Sequence, residues 1–497
     1  MLVVGIDKGT SVTKTAVFDE NGTQVVSASR RVRQFHDGPG WHEEDPEDTW
    51  ARTAGTVAEC MAALGARTAD VVGVGVTGHM GGAWFVDAAG RSVRRAIAWP
   101  DTRANDVVAR LENGPDLDEF LRITENGALP GMTVPVLAHL GPELVDQVHA
   151  VLNAKDFVGL RLTGRMASEP SDAAFVPSDI DRGTHSARVL EILGAPEWSG
   201  KFPELIPSGS VLGEVTPGAA ELTGLPAGTP VVAGLGDAPA AMVGCGAVTP
   251  GSAVSILGTS WLSATVVTDP HGGRRGIGWM YPMPNGAFAH FVAQQAGSST
   301  FDWWLRHLAP EVSGTRDFAA LEAEVLAVGE AATNLTFLPY FSAAGTQAPF
   351  KAPNLRGTLL GLEDATGRAD IFRAVYEGLA YAMADCYSAF GRTAETIRLT
   401  GGGAASAIWP GVLSNIMGVP VELLAADEGA ALGVAVLAGV SAGVWPTLEA
   451  AEKSVVRVVR RIEPDAELHR AHQRQFARFT AAQRMTRAFY DDHRGTA

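Results

Sequence analysis

The residues GIDKGTSVTKTAVFD, Gly5 to Asp19, decide the fold. An apolar run from Met1 reaches Asp7 and breaks at a glycine-hydroxyl turn, Gly9-Thr10-Ser11. It then resumes as alternating apolar and polar residues. That is the pattern of strand, tight turn, strand. Half a chain later the design returns as SILGTSWLSATVV, Ser255 to Val267, where Gly258-Thr259-Ser260 repeats the first turn without its acid. Two such units, one per half-chain, predict an α/β protein made of two like halves that face each other across a cleft.

The bulk numbers agree. A chain of 497 residues is too long for one ordinary core. Apolar residues make up 46% and charged residues 19%, a globular composition. The net charge of −16 disfavours nucleic acid and anionic membrane as partners. Cys60, Cys245 and Cys386 are far apart, form no metal-spaced pair, and fit a reducing cytoplasm. The opening apolar run is too short for a signal peptide, and no window approaches the roughly 20 apolar residues of a membrane span.

Strands alternate with helices along the whole chain. Helical spacing follows the Pro-containing acidic start DPEDTW, Asp45 to Trp50, and recurs in a long run around RAVYEGLAYA, Arg373 to Ala382. The small-residue stretch DEGAALGVAVLAG, Asp427 to Gly439, predicts a helix able to lie very close to a sheet. The Pro-Gly break in VTPGS, Val248 to Ser252, is the best boundary. The predicted divisions are 1–248, 249–450 and a C-terminal helical segment, 451–497.

The turns carry the chemistry. A glycine turn after a strand lets an anion approach backbone amides closely, and the hydroxyls of Thr10, Ser11 and Thr13 add donors. Asp7 repels phosphate directly but suits a magnesium ion that bridges to phosphate oxygens. TGGGAAS, Thr400 to Ser406, follows a strand and opens a helix, where glycines admit a flat ring or phosphate. Asp237, in VVAGLGDAPAA, stands where a strand ends and a helix begins. It reads either as a base for a substrate hydroxyl or as a helix cap. His79 and Met80, in TGHMGGAWFVD, read as a packed loop or as a sugar-contacting one. Trp99, Asp101 and Arg103, in AWPDTRA, supply either a polar pocket wall or a solvated ion pair.

In this order, these motifs resemble the FGGY family of carbohydrate kinases over almost the whole chain. The resemblance includes GWHEEDPEDTW, AKDFVGLRLTG and LTGGGAASAIWPGVLSNIMGVPV. It implies two actin-like, ribonuclease-H-like domains, ATP and Mg2+ in the cleft, and transfer of the γ-phosphoryl group to a sugar or polyol hydroxyl. It implies Asp237 as catalytic base and, with Asp7, as metal ligand. Asp7, Gly9, Thr10 and Ser11 fall on the first phosphate motif, and Gly258 and Thr259 on the second. Gly401, Gly402, Gly403, Ser406 and Asn415 fall on the adenosine end, and His79, Met80, Trp99 and Asp101 on the sugar end.

Within the family the chain is most similar to the xylulokinase-like group, with three departures. Gly81 stands where a sugar-facing histidine is common, Ala238 where Asn follows the base, and SAAGTQAPF, Ser342 to Phe350, where GERTP is usual. The resemblance therefore implies a ketopentose kinase and leaves L-xylulose, 3-keto-gulonate and erythritol kinases open. A silent sugar-nucleotide sensor is the alternative from another class. A homodimer is the assembly considered.

Overall fold

The computed structural model describes residues 1–315, 317–329, 333–343, 345–425 and 429–492. Two large sheets organise it. The first holds β1 (Leu2–Lys8), β2 (Val12–Asp19), β3 (Gln24–Arg31), β4 (Val71–Gly78), β5 (Val211–Glu214) and β6 (Pro230–Val232) in the order β5-β6-β4-β1-β2-β3. The second holds β7 (Ser252–Leu257), β8 (Trp261–Val267), β9 (Trp279–Pro282), β10 (Phe288–Gln294), β11 (Thr396–Gly401), β12 (Val421–Leu424) and β13 (Val458–Ile462) in the order β9-β10-β8-β7-β11-β12-β13.

The two orders match. In each sheet an antiparallel meander, β1-β2-β3 or β7-β8-β10, is followed by two strands parallel to its first. An antiparallel strand closes that edge, β5 or β13. Register matches too: Lys8 pairs with Gly78 and Leu257 with Gly401, so each hydroxyl turn stands beside the glycine turn that ends the neighbouring strand. β1 is buried along nearly all of its length, as a central strand covered on both faces must be.

The helix α1 (Pro46–Leu64) starts where expected, with Asp45 accepting from the amides of Glu47 and Asp48. It lies on β2 through two hydroxyl pairs, Thr13 with Thr53 at 3.0 Å and Thr15 with Thr56 at 2.8 Å. Thr13 is thus a buried packing residue, not a donor in the turn. Helix α2 (Asp237–Gly244) follows β6, α3 (Arg368–Ser388) and α4 (Trp409–Met417) belong to the second lobe, and α5 (Gly429–Ser441) follows β12. The first two residues of the small-residue stretch, 427 and 428, lie outside the described residues.

Helices α2 and α5 fill the space between the sheets. One apolar cluster joins Val3, Ala16 and Phe18 of the first sheet to Met242 and Val243 of α2. The same cluster takes in Val434 and Leu437 of α5 and Val254 and Val266 of the second sheet. A Cβ on Gly433 would stand 1.9 Å from the Ala240 carbonyl oxygen, so the two helices touch backbone to backbone.

The tail departs from expectation. The predicted boundary at 450 falls inside a helix, Leu448–Val455. Residues 451–497 are not purely helical, because β13 completes the second sheet. The last helix, α6 (Ala466–Asp492), is part of the second lobe. Phe479 and Ala482 join its core, and Gln483 donates to Tyr340 and Asp385 at 2.6 and 2.8 Å. Among the described residues no helix is long and apolar enough to cross a membrane. Cys60, Cys245 and Cys386 are buried, and none of them is in a disulfide.

Candidate active site

Strand alternation splits Asp7 from Lys8. Asp7 borders a cavity of about 320 Å³ between the lobes, lined also by Ala241, Cys245, Ile256, Thr400 and Gly401. Lys8 points the other way, fully buried, and pairs with Glu44. A larger hollow of about 440 Å³ lies between α3 and α6 and contains none of the turn residues.

In the first turn, Gly9 is required because a Cβ there would meet the Val12 carbonyl oxygen at 2.8 Å. The Thr10 hydroxyl accepts from the Trp99 indole N–H at 2.8 Å, and the Thr10 carbonyl accepts from Gln34 at 2.8 Å. Trp99, 43% exposed, therefore ties the sugar-end loop to the phosphate turn. Ser11 is exposed.

In the second turn, Gly258, Thr259 and Ser260 are all exposed. The Gly258 and Thr259 carbonyls accept from the amides of Ser298 and Ser299, which open the helix Ser298–Leu308. The turn is thereby seated against a helix N-terminus, an anion-favouring neighbour that its own sequence did not disclose.

Gly401 ends β11 at φ +86°, and its Cβ would stand 2.4 Å from the Leu257 carbonyl oxygen. Gly402 follows with open space on its Cα, while Gly403 packs on Leu257. Ser406 and Asn415 do not join them as expected. The Ser406 hydroxyl donates to Glu322 at 2.6 Å and accepts from the amides of Ile408 and Trp409, just before α4. The Asn415 side chain accepts from the Asp465 amide at 2.8 Å, and its carbonyl bonds His469, so this residue fastens the last helix. Glu322, buried and distant in sequence, is the residue at this end that sequence reading missed.

Asp237 is the first residue of α2, with Gly236 as its cap. Its Oδ1 accepts from the Ala238 amide at 2.8 Å. It stands one helical turn before Ala241, which lines the cavity, and keeps partial access to solvent. Burial, and then the neighbouring Asp7 charge, push its carboxyl up to about 7. Met80 packs beneath it, since a Cβ on Gly236 would lie 2.5 Å from the Met80 sulfur.

Two sugar-end expectations fail. His79 is 1% exposed and faces Glu44, with Nε2 3.3 Å from Oε1. Burial and the adjacent Lys8 hold its imidazole below the usual value. It belongs to the buried group behind β1, not to the pocket. Asp101 is buried and fully engaged: it accepts from the His42 amide at 2.7 Å and from three Arg103 nitrogens at 2.8 to 2.9 Å. It braces the loop that carries Trp99.

The departures now have positions. Gly81 has φ +74°, and a Cβ there would crowd Phe175 at 2.8 Å, so a side chain at 81 is strained. Ala238 packs against the interlobe cluster. The stretch Ser342 to Phe350, of which 344 lies outside the described residues, packs on the end of β10. There Gln294 donates to Thr346 at 2.5 Å. Because Gln294 pairs with Trp261 in register, this stretch stands beside the second turn. The second lobe also reaches the first through β9. Trp279 and Tyr281 each pack on Phe175, at 6.2 and 6.3 Å between ring centres.

Two lobes of matched topology, each lending a turn to one cleft, define the actin-like, ribonuclease-H-like class of two-domain α/β proteins. Family models for the FGGY family of carbohydrate kinases match residues 2–244 (N-terminal domain) and 253–442 (C-terminal domain). The chain belongs to the FGGY family of carbohydrate kinases. It is 32% identical to the xylulose kinase of Escherichia coli (strain K12) over 499 residues, 95% of this chain and 96% of that one. It is 30% identical to the erythritol kinase of Brucella abortus (strain 2308) over 461 residues, 90% and 89% of the two chains. The crystal structure of xylulose kinase from Rhodospirillum rubrum superposes with a TM-score of 0.89 at 27% identity, covering 99% of this chain and 100% of that one.

Proposed function

We propose that this protein transfers the γ-phosphoryl group of ATP to a hydroxyl of a xylulose-like ketopentose or a related linear polyol, with Asp237 as general base. The observation that carries the reading is the Asp237 carboxyl beside Asp7, which borders the interlobe cavity; burial and that neighbouring charge raise it to about 7. A carboxyl tuned there can accept a proton at physiological pH.

The sugar oxygen forms a bond to the γ-phosphorus as the bond from that phosphorus to the β-γ bridging oxygen of ATP breaks, releasing ADP. The hydroxyl proton passes to Asp237 and then to solvent. Thr10, Ser11 and Thr259 offer hydroxyls and amides to phosphate oxygens, and Gly258, without a side chain, lets them approach the second turn. Gly401, Gly402 and Gly403 leave room for the adenosine. Transfer of this kind has a loose transition state, so alignment and charge compensation supply most of the rate.

Among the described residues no cluster of three His, Cys, Asp or Glu side chains is arranged for a metal. Mg2+ needs only one or two carboxylates beside waters and phosphates, and the repulsion between Asp7 and Asp237 fits such a site. Bound there by Asp7 and Asp237, Mg2+ would neutralise phosphate charge.

In this reading the lobes are 1–248 and 249–450, the second extended by 451–497, and the enzyme is cytoplasmic. His79 is buried and residue 81 is a glycine, which favours as second reading a smaller polyol such as erythritol. The test is ADP release from MgATP with D-xylulose, L-xylulose, erythritol and 3-keto-L-gulonate. Release with one of these, and an at least about 10²-fold lower kcat in Asp237→Ala, supports the proposal. No release with any, despite ATP binding, leaves the sensor alternative.

A further inference from the structure

We propose that Ser171 is a positioning residue for the base. Its hydroxyl couples the buried Glu169 carboxylate to the backbone amide that precedes Asp237. The inference rests on the reading of Asp237 as that base.

The helix Pro170–Phe175 begins at Glu169, whose carboxylate accepts from the amides of Ser171 and Asp172 at 2.8 and 2.9 Å. Those two bonds suffice to cap the helix. The Ser171 hydroxyl adds something capping does not need. It donates to Glu169 Oε1 at 2.7 Å, and its oxygen accepts from the Gly236 amide at 3.0 Å. Donation in one direction fixes the lone pair offered in the other, so the pair act as one rigid strut.

The strut is anchored in charge. Lys155, buried, stands 2.6 Å from Asp156, 3.1 Å from Asp172 and 3.5 Å from Glu169. Its ammonium thus lies within ion-pair reach of all three carboxylates, Glu169 included. Glu169 and Ser171 are fully buried, and neither touches the cavity beside Asp7.

Gly236 caps α2, and its backbone angles set the direction of the next side chain. Met80 confines Gly236 on one side. Ser171 holds its amide on another. A base displaced by an ångström can lose much of its effect while the nucleotide still binds.

The test is Ser171→Ala in the full-length enzyme, with kcat, both KM values and the thermal midpoint measured. The expected result is a kcat about tenfold lower and a KM for ATP within about twofold of wild type. An unchanged kcat, with or without a lower midpoint, or a kcat that falls only together with a matching rise in the KM for ATP, overturns the proposal. If Ser171→Ala does not fold, Ser171→Cys reads the same loss, because a thiol donates weakly. Asp237→Asn is assayed in parallel. An inactive Asn variant beside an unaffected Ser171 variant removes the positioning role alone. An active Asn variant removes the base, and the positioning role with it.

Discussion

Gly5 and Ala431, from opposite halves of the chain, meet backbone to backbone: a Cβ on Gly5 would stand 2.0 Å from the Ala431 carbonyl oxygen. Helix α5, which follows a strand of the second sheet, thus lies on β1 of the first. Gly5→Ala forces the layers apart in a well-packed cluster. The expected loss is about 3 kcal/mol, the upper end for overpacking, read by chemical denaturation. A loss below about 0.5 kcal/mol contradicts the packing described.

Gly402 offers the opposite case. Its Cα faces open space, so Gly402→Ala leaves the melting temperature unchanged. If adenosine lies against this turn, the added methyl raises the KM for ATP by about tenfold, about 1.4 kcal/mol. An unchanged KM moves the nucleotide elsewhere.

Asp237 links activity to pH. With its carboxyl raised to about 7, kcat/KM rises as pH climbs through that value and levels off above it. Stability runs the other way. The folded state holds the proton more tightly than the unfolded one, so this group's contribution is full below about 3.9, the unfolded value, and declines until pH passes about 7. Asp237→Asn therefore gains stability over wild type at pH 8, by at most about 4 kcal/mol, and little at pH 4. Equal melting curves at both pH values contradict the shift.

His271 joins the lobes. Its Nδ1 stands 2.6 Å from Glu125 and its Nε2 2.8 Å from Asp181, while Arg275 donates to Glu125 at 2.8 Å. The bond to Glu125 leads in raising its pKa above the usual value. The contact is complete below about 6.5, the ordinary imidazole value, and weakens as pH rises through the raised one. The melting-temperature difference between wild type and His271→Gln shrinks from pH 6 to pH 9. A difference that grows with pH refutes the charged bridge.

The turns were legible because strand, turn and glycine signals are local. Asp7, Gly9, Thr10, Gly258, Gly401 and Asp237 all sit at turns whose chemistry is written in adjacent residues. His79, Asp101 and Asn415 were misplaced because each lies near a motif yet bonds a distant segment: Glu44, the loop at His42 and the last helix. Glu322 and Ser171 could not be found for the same reason. Their partners are 84 and 65 residues away.

By itself, the order of residues determined two strand-turn-strand units, their glycine turns, and a small-residue helix able to approach a sheet closely. Those are consequences of backbone sterics and periodicity, which act over a few residues. Only the tertiary structure decided that this helix crosses to the first sheet, that the second turn rests on a helix N-terminus, and which polar side chains are buried. Such outcomes depend on which surfaces meet. A buried polar group takes whatever partner the packing brings within hydrogen-bond reach, however far away in sequence that partner lies.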